Sequence, residues 1–208
     1  MSPRTGAISL RLGKAEAVLP KKRADRRGEC EGGRLHKGIC GRCARNREGA
    51  PRPLSPAPTP DLVKRMFETE VPEIYDGTVE IKAVSREAGS RTKLAVMSND
   101  PAVDAVGACI GARGSRVSEI VDELGGEKID IVEYSEEPKQ FIAAALSPAN
   151  VLSVELAEDG SRSCRVTVPD NQLSLAIGNK GQNARLAAKL TGWKIDIKPE
   201  SGFYGEEQ

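Results

Sequence analysis

Two short loops hold the residue types that could do chemistry: Ile110-Gly111-Ala112-Arg113-Gly114 and Ile177-Gly178-Asn179-Lys180-Gly181. Each has two glycines flanking a cationic residue, and a helix-like segment follows. Glycine adopts backbone angles that a Cβ forbids, so an anionic chain can come close to the loop backbone. The first turn of the next helix presents unpaired N–H groups and a partial positive charge, which suit a phosphate. Arg113 and Arg116 in the first loop region, and Lys180 and Arg185 in the second, add mobile charge. The candidate binding residues are therefore Gly111, Ala112, Arg113, Gly114, Ser115 and Arg116, with Gly178, Asn179, Lys180, Gly181, Gln182, Asn183 and Arg185.

One Gly-x-x-Gly could equally be a pair of packing glycines between helices. Here the loop recurs with its surroundings. The first loop leads through an amphipathic segment to Gly125 and Lys128-Ile129-Asp130-Ile131, and the second leads to Gly192 and Lys194-Ile195-Asp196-Ile197. The offset is 67 residues from Gly111 to Gly178 and 66 from Lys128 to Lys194, which marks a repeated supersecondary unit. A loop of this kind, beside the apolar face of the preceding helix and an adjacent strand, can clamp about four single-stranded nucleotides and read base edges.

The flanking segments say what positions the loops. Pro60-Asp61 with Leu62, Met66 and Phe67 on one face predicts a helix that stops by Val71-Pro72. Val79, Ile81 and Ala83 alternate with polar residues, Glu87-Ala88-Gly89 turns the chain, and Leu94 and Val96 alternate in a second strand. Asn99-Asp100-Pro101 reads as a helix start, with Val103, Val106 and Ile110 on one face. Val117, Ile120, Val121 and Leu124 stripe the next helix. The second unit repeats this order, with Ser135 and Asp170 as helix caps, Leu173 and Ile177 facing inward, and Trp193 opening the last strand as a packing residue. Each unit is α-β-β-α-α-β, so residues 61–134 and 135–200 form two α+β domains, followed by an acidic tail at 201–208.

Residues 1–60 differ in kind. They hold 14 Lys/Arg against 5 Asp/Glu, a balance of +9, whereas residues 61–208 hold 17 against 25, a balance of −8. Ile8, Leu10 and Leu12 alternate, and Gly13 turns toward a second short strand, so a β-hairpin is expected. Across residues 23–60 no helical or strand period survives. Cys30, His36, Cys40 and Cys43 offer four nitrogen and sulfur ligands for zinc, although the ten-residue step from Cys30 to Cys40 matches no common zinc module. The other reading is a basic, Pro-rich linker without cofactor or metal.

Function classes narrow accordingly. His36 is the only histidine and has no partner at triad spacing, and Cys109 and Cys164 sit inside apolar patterns, so no enzyme is expected. Five cysteines, an odd number, fit a reducing compartment, and no apolar run is long enough to span a bilayer, so the protein is expected to be a cytoplasmic monomer. With three Phe, three Tyr and one Trp, nucleic-acid contact has to lean on backbone amides and basic side chains. A protein-interaction scaffold with weak RNA grooves is the competing class, favoured by the acidic balance.

The motifs carry a resemblance. Residues 168–187, Val168-Pro169-Asp170 through Gly181-Gln182-Asn183-Ala184-Arg185, resemble the second KH domain of the NusA family of bacterial transcription termination/antitermination factors. Glu70-Val71-Pro72-Glu73-Ile74, with Gly107-Ala108-Cys109-Ile110-Gly111 and Gly114-Ser115-Arg116-Val117, resembles the first. Leu12-Gly13-Lys14-Ala15-Glu16 and the residues to Pro20 resemble part of the S1 barrel that precedes them. The resemblance implies tandem type II KH folds and binding of single-stranded RNA. It implies RNA polymerase and other transcription factors as partners of full-length members, whose N-terminal polymerase-binding domain has no counterpart here. Residues 23–60 then stand where the later S1 strands belong. Their Arg/Gly/Pro/Cys bias is that of a GC-rich gene read out of frame, so a frameshifted stretch of the barrel is a further reading.

Overall fold

A computed structural model describes residues 60–202 except Asp159, together with the backbone of four strands nearer the N-terminus. Those are β1 (Ile8–Leu12), β2 (Ala15–Leu19), β3 (Arg42–Arg45) and β4 (Pro51–Leu54). β1 and β2 pair antiparallel from Ile8 opposite Leu19 to Leu12 opposite Ala15, the hairpin that the alternation predicts. The second pair corrects the reading of residues 23–60 as free of strands: β3 pairs antiparallel with β4. Pro51 and Pro53 alternate along β4, so their missing N–H groups fall on one side, as an edge strand tolerates. Backbone pairing forms this ribbon without any alternation of apolar side chains.

The first α-β-β-α-α-β unit opens with α1 (Pro60–Glu70). Leu62, Val63, Met66 and Phe67 bury one face of it, and each such side chain contributes on the order of 1.5–3 kcal/mol. A single turn, α2 (Pro72–Tyr75), uses Pro72 at its first position. Then come β5 (Val79–Glu87), β6 (Arg91–Ser98), α3 (Ala105–Ile110), α4 (Ser115–Glu123) and β7 (Lys128–Glu133). β5 pairs antiparallel with β6, and β7 lies parallel on the far side of β6, from Lys128 opposite Arg91 to Glu133 opposite Val96. A parallel neighbour requires a crossover, and the two helices that bracket the first loop provide it.

The second unit repeats the plan with α5 (Pro138–Ala145), β8 (Ser153–Leu156), β9 (Ser163–Val168), α6 (Leu173–Ile177), α7 (Gln182–Thr191) and β10 (Lys194–Pro199). Its sheet order is β10-β9-β8, again with one antiparallel and one parallel pairing.

Three helix starts differ from expectation. Asp100 caps only a turn, its Oδ1 accepting from Ala102 N at 2.9 Å, and α3 begins after Asp104, whose carboxylate accepts from Val106 N. Ser135 Oγ accepts from Glu137 N, and α5 begins three residues after Ser135, where Pro138 supplies a preset φ. Asp170 opens a 3-10 turn, and its Oδ1 accepts from Ser201 N past the end of β10, so it fastens the last strand and caps no helix.

The units share a core. Ala95 and Val132 from the first sheet are buried in the same cluster as Phe141, Ile142, Leu146 and Leu190 of the second unit, with Ala83 and Tyr134 packed against it. Lys93, fully buried, donates from Nζ to Asp130 Oδ2 at 3.1 Å and to the Ser147 carbonyl at 2.7 Å. Burial pulls the Lys93 ammonium below the ordinary lysine value, against the pull of Asp130. Beside it Arg91 makes a two-pronged contact with Asp130. A second buried pair holds the β5–β6 turn. Arg86 donates from Nε and Nη2 to both Glu127 oxygens at 2.8 Å, and Thr92 Oγ1 and Gly89 N donate to the same carboxylate.

Candidate nucleic-acid interface

The two loops have the same backbone. Gly111, Arg113 and Gly114 have φ/ψ of 74/173°, 54/28° and 80/12°, and Gly178, Lys180 and Gly181 have 76/171°, 51/33° and 72/19°, so no angle differs by more than 8°. The first glycine of each occupies a region essentially closed to other residues. Among the described residues, Arg113 and Lys180 are the only non-glycines with positive φ. A left-handed conformation costs a side-chain-bearing residue about 1–2 kcal/mol, and both loops accept it at the same cationic position. A hydrogen bond from the last glycine N–H to the first glycine carbonyl closes each loop, at 3.1 Å for Gly114 to Gly111 and 3.0 Å for Gly181 to Gly178.

This backbone turns the cations outward. Ala112, Arg113, Ser115, Asn179 and Lys180 are exposed, and neither Arg113 nor Lys180 has a side-chain partner among the described residues. Beside them stand exposed apolar side chains, of which Ile110 and Ile177 fall on the core-facing side of the sequence pattern. Ile110 is 37% exposed, Ile177 36% and Leu175 46%. The helical period continues through Ile110 and Ile177 although the core has already ended. The signal that could have found them is the glycine that follows each directly, where the helix stops. Each loop therefore has apolar side-chain surface open to solvent on the helix that enters it.

Four other candidates are engaged within the protein. Arg116 Nη1 donates to the Ala108 carbonyl at 2.6 Å and to Glu73 Oε2 at 2.9 Å. Asn183 is a correction: it is 1% exposed, so its side chain is out of reach of a ligand. Its Nδ2 donates to the carbonyls of Leu146 and Ala176 at 3.0 and 2.9 Å. Gln182 and Arg185 reach across to the first unit. Gln182 Nε2 donates to Glu87 Oε2 and Ser90 Oγ, both at 2.8 Å, and Arg185 Nε donates to Glu87 Oε1 at 2.9 Å. Arg185 and then Gln182 hold the Glu87 carboxyl below its usual range. Sequence spacing within one unit gives no sign of a partner that arrives from the other.

The two described thiols are poor nucleophiles. Burial pushes the Cys109 thiol up to about 12 and the Cys164 thiol up to about 11, so both stay protonated core residues. Among the described residues no group of three or more His, Cys, Asp or Glu is placed to share a metal ion. The zinc set Cys30, His36, Cys40 and Cys43 lies outside the described side chains. No described helix is long and apolar enough to cross a membrane.

Comparison with known proteins gives this geometry a lineage. Residues 58–134 match the family described as NusA-like first KH domain, and residues 138–204 match the NusA-like second KH domain. The chain is 61% identical over 153 residues to the transcription termination/antitermination protein NusA of Bacillus subtilis, covering 71% of this chain and 41% of that protein. It is 53% identical over 194 residues to the protein of the same name from Halalkalibacterium halodurans, covering 93% and 50%. For that of Thermus thermophilus the identity is 44% over 193 residues, covering 93% and 49%. The chain thus spans about half the length of the curated relatives it matches, or less. Through two KH domains in tandem, which together take up more than half of its residues, it belongs to the NusA family.

Proposed function

We propose that the chain binds single-stranded RNA at its two Gly-x-x-Gly loops and acts in the control of transcription elongation, termination and antitermination, of which its relatives' names carry the last two. The observation that carries this reading is the duplicated loop backbone, with an exposed cation at its left-handed position that has no side-chain partner among the described residues, and an exposed isoleucine one residue before its first glycine. The loop amides and the first turn of α4 or α7 would take the RNA phosphates, Arg113 and Lys180 would add charge, and Ile110, Leu175 and Ile177 would carry base faces. The balance of −8 beyond residue 60 disfavours broad electrostatic binding, so few phosphates are neutralised and the salt dependence is shallow. RNA polymerase and other transcription factors are proposed partners of the longer family members. The chain itself is read as a cytoplasmic, monomeric, non-enzymatic protein whose β1 and β2 belong to an S1-like segment.

The test is titration of fluorescein-labelled single-stranded RNA of randomised sequence with the full chain, wild type beside a variant carrying Ala112→Asp, Arg113→Asp, Asn179→Asp and Lys180→Asp. Circular dichroism checks folding. Binding by the wild type and its loss in the folded variant is the expected result. Equal binding by both, or by neither, overturns the loop reading and moves attention to residues 1–60 or to a protein-scaffold role.

A further inference from the structure

The residue five positions after each first glycine does the same mechanical work in both units with different chemistry. In the first unit this is Arg116. Its guanidinium bonds the Ala108 carbonyl near the C-terminus of α3 and reaches Glu73 on α2, and its Cγ lies 2.7 Å from where a Cβ on Gly111 would be. In the second unit it is Asn183. Its amide bonds the Ala176 carbonyl near the C-terminus of α6 and the Leu146 carbonyl just past α5, and its backbone nitrogen lies 2.8 Å from the corresponding Cβ position on Gly178. The Ala108 and Ala176 carbonyls bonded in this way lie in last turns, where the helix itself offers no partner. Both side chains also tie the helix before the loop to the opening helical segment of the unit, and both pack under the first glycine.

We propose that Arg116 and Asn183 are the positioning residues of the two loops, each setting its loop's geometry by stapling the helix that enters it. The proposal rests on the RNA-clamp reading above for its functional consequence only. The two staples differ in stiffness. The Arg116–Glu73 pair is about one-third exposed on each side chain, so water and salt compete with it and the first loop can adjust. Asn183 is buried, and its Nδ2 bonds to the Leu146 and Ala176 carbonyls lie out of reach of competing water, so the second loop is the stiffer of the two.

The experiment compares Arg116→Met, Arg116→Lys, Asn183→Asp and Asn183→Ser in the full chain. Asn183→Asp is close to isosteric and lacks the donor, and Asn183→Ser keeps a small donor in case the aspartate variant does not fold. Without RNA, backbone amide resonances read the loops directly. Arg116→Met is expected to shift Gly111 to Gly114 and leave Gly178 to Gly181 in place, Asn183→Asp is expected to do the reverse, and Arg116→Lys is expected to restore the first set. With the labelled RNA, each disruptive variant weakens binding about tenfold, the size of one lost charge-assisted or buried hydrogen bond. Lys180→Asp, measured alongside, reports on the clamp reading itself. If the wild type does not bind RNA, that reading fails while the resonance result still judges the staples. Folded variants with unmoved loop resonances, or with shifts spread evenly over the whole unit, overturn the proposal.

Discussion

Asp130 and Asp196 are the third residues of the same tetrapeptide, and they live in different worlds. Asp130 is 18% exposed and bonded to Arg91 and Lys93 where the second unit covers the first sheet, while Asp196 is 60% exposed with Lys198 3.9 Å away. Each lies opposite a cation in the parallel pairing, Lys93 in one sheet and Arg165 in the other. The difference teaches that a repeat fixes backbone and register, whereas burial decides what a charge is worth. One copy of the face became an interface. The other stayed exposed and polar.

Breaking the comparison at its strongest point, Asp130→Ala leaves the buried Lys93 ammonium short of its counter-charge and is expected to cost about 3–5 kcal/mol. Asp196→Ala is expected to stay within about 0.5 kcal/mol of wild type. Urea unfolding midpoints of the two variants check both, and equal losses would refute the assignment of one face as interface.

The next contrast is in acid. Lys128 and Lys194 correspond, so buried Glu127 stands where the second unit has Trp193. Burial alone would push the Glu127 carboxyl up, but the bonds from Arg86, Thr92 and Gly89 outweigh it and leave it below the ordinary glutamate value of 4.5. A carboxyl depressed on folding stabilises fully above its unfolded value, and that stability drains away as pH falls through the folded one. The melting temperature should therefore hold on the neutral side and drop below about pH 4.5, the ordinary glutamate value. In an Arg86→Met, Glu127→Leu double variant this acid limb should be shallower, and an unchanged limb would place its origin elsewhere.

The loops offer a finer test. Gly111→Ala and Gly178→Ala each force a Gly-only conformation, worth on the order of 1–3 kcal/mol. The new methyl meets the flexible Arg116 chain in the first loop and the Asn183 backbone in the second. Gly178→Ala should be the more destabilising of the two in chemical denaturation, and the reverse order would contradict the difference in stiffness. Smallest of all, Glu87→Gln removes a charge from the exposed contact with Arg185 and should leave the unfolding midpoint unmoved, since exposed pairs contribute little.

Much of this was legible beforehand because the repeat testifies twice. The stripe Val117, Ile120, Val121 and Leu124 and the alternation of Val79 and Ile81 placed α4 and β5 correctly. The loops themselves stood out from their glycine spacing. What escaped was whatever depends on a partner distant in sequence. Gln182 and Arg185 look like free polar groups until Glu87 arrives from the other unit. Asn183 looks like a surface amide until the helix-end carbonyls close over it. Asp100 reads as the helix cap, yet it caps only a turn, and α3 starts after Asp104.

The shared core also sets a clock on synthesis. The first sheet is complete once the chain reaches Glu133, but the helix that finishes covering its outer face ends only at Thr191, 58 residues later. At ordinary bacterial translation rates that interval lasts about 3–12 s. Throughout it the part of β5 and β6 against which α7 packs stays uncovered in the nascent first domain. A chaperone that shields strands as they emerge would find its brief task there.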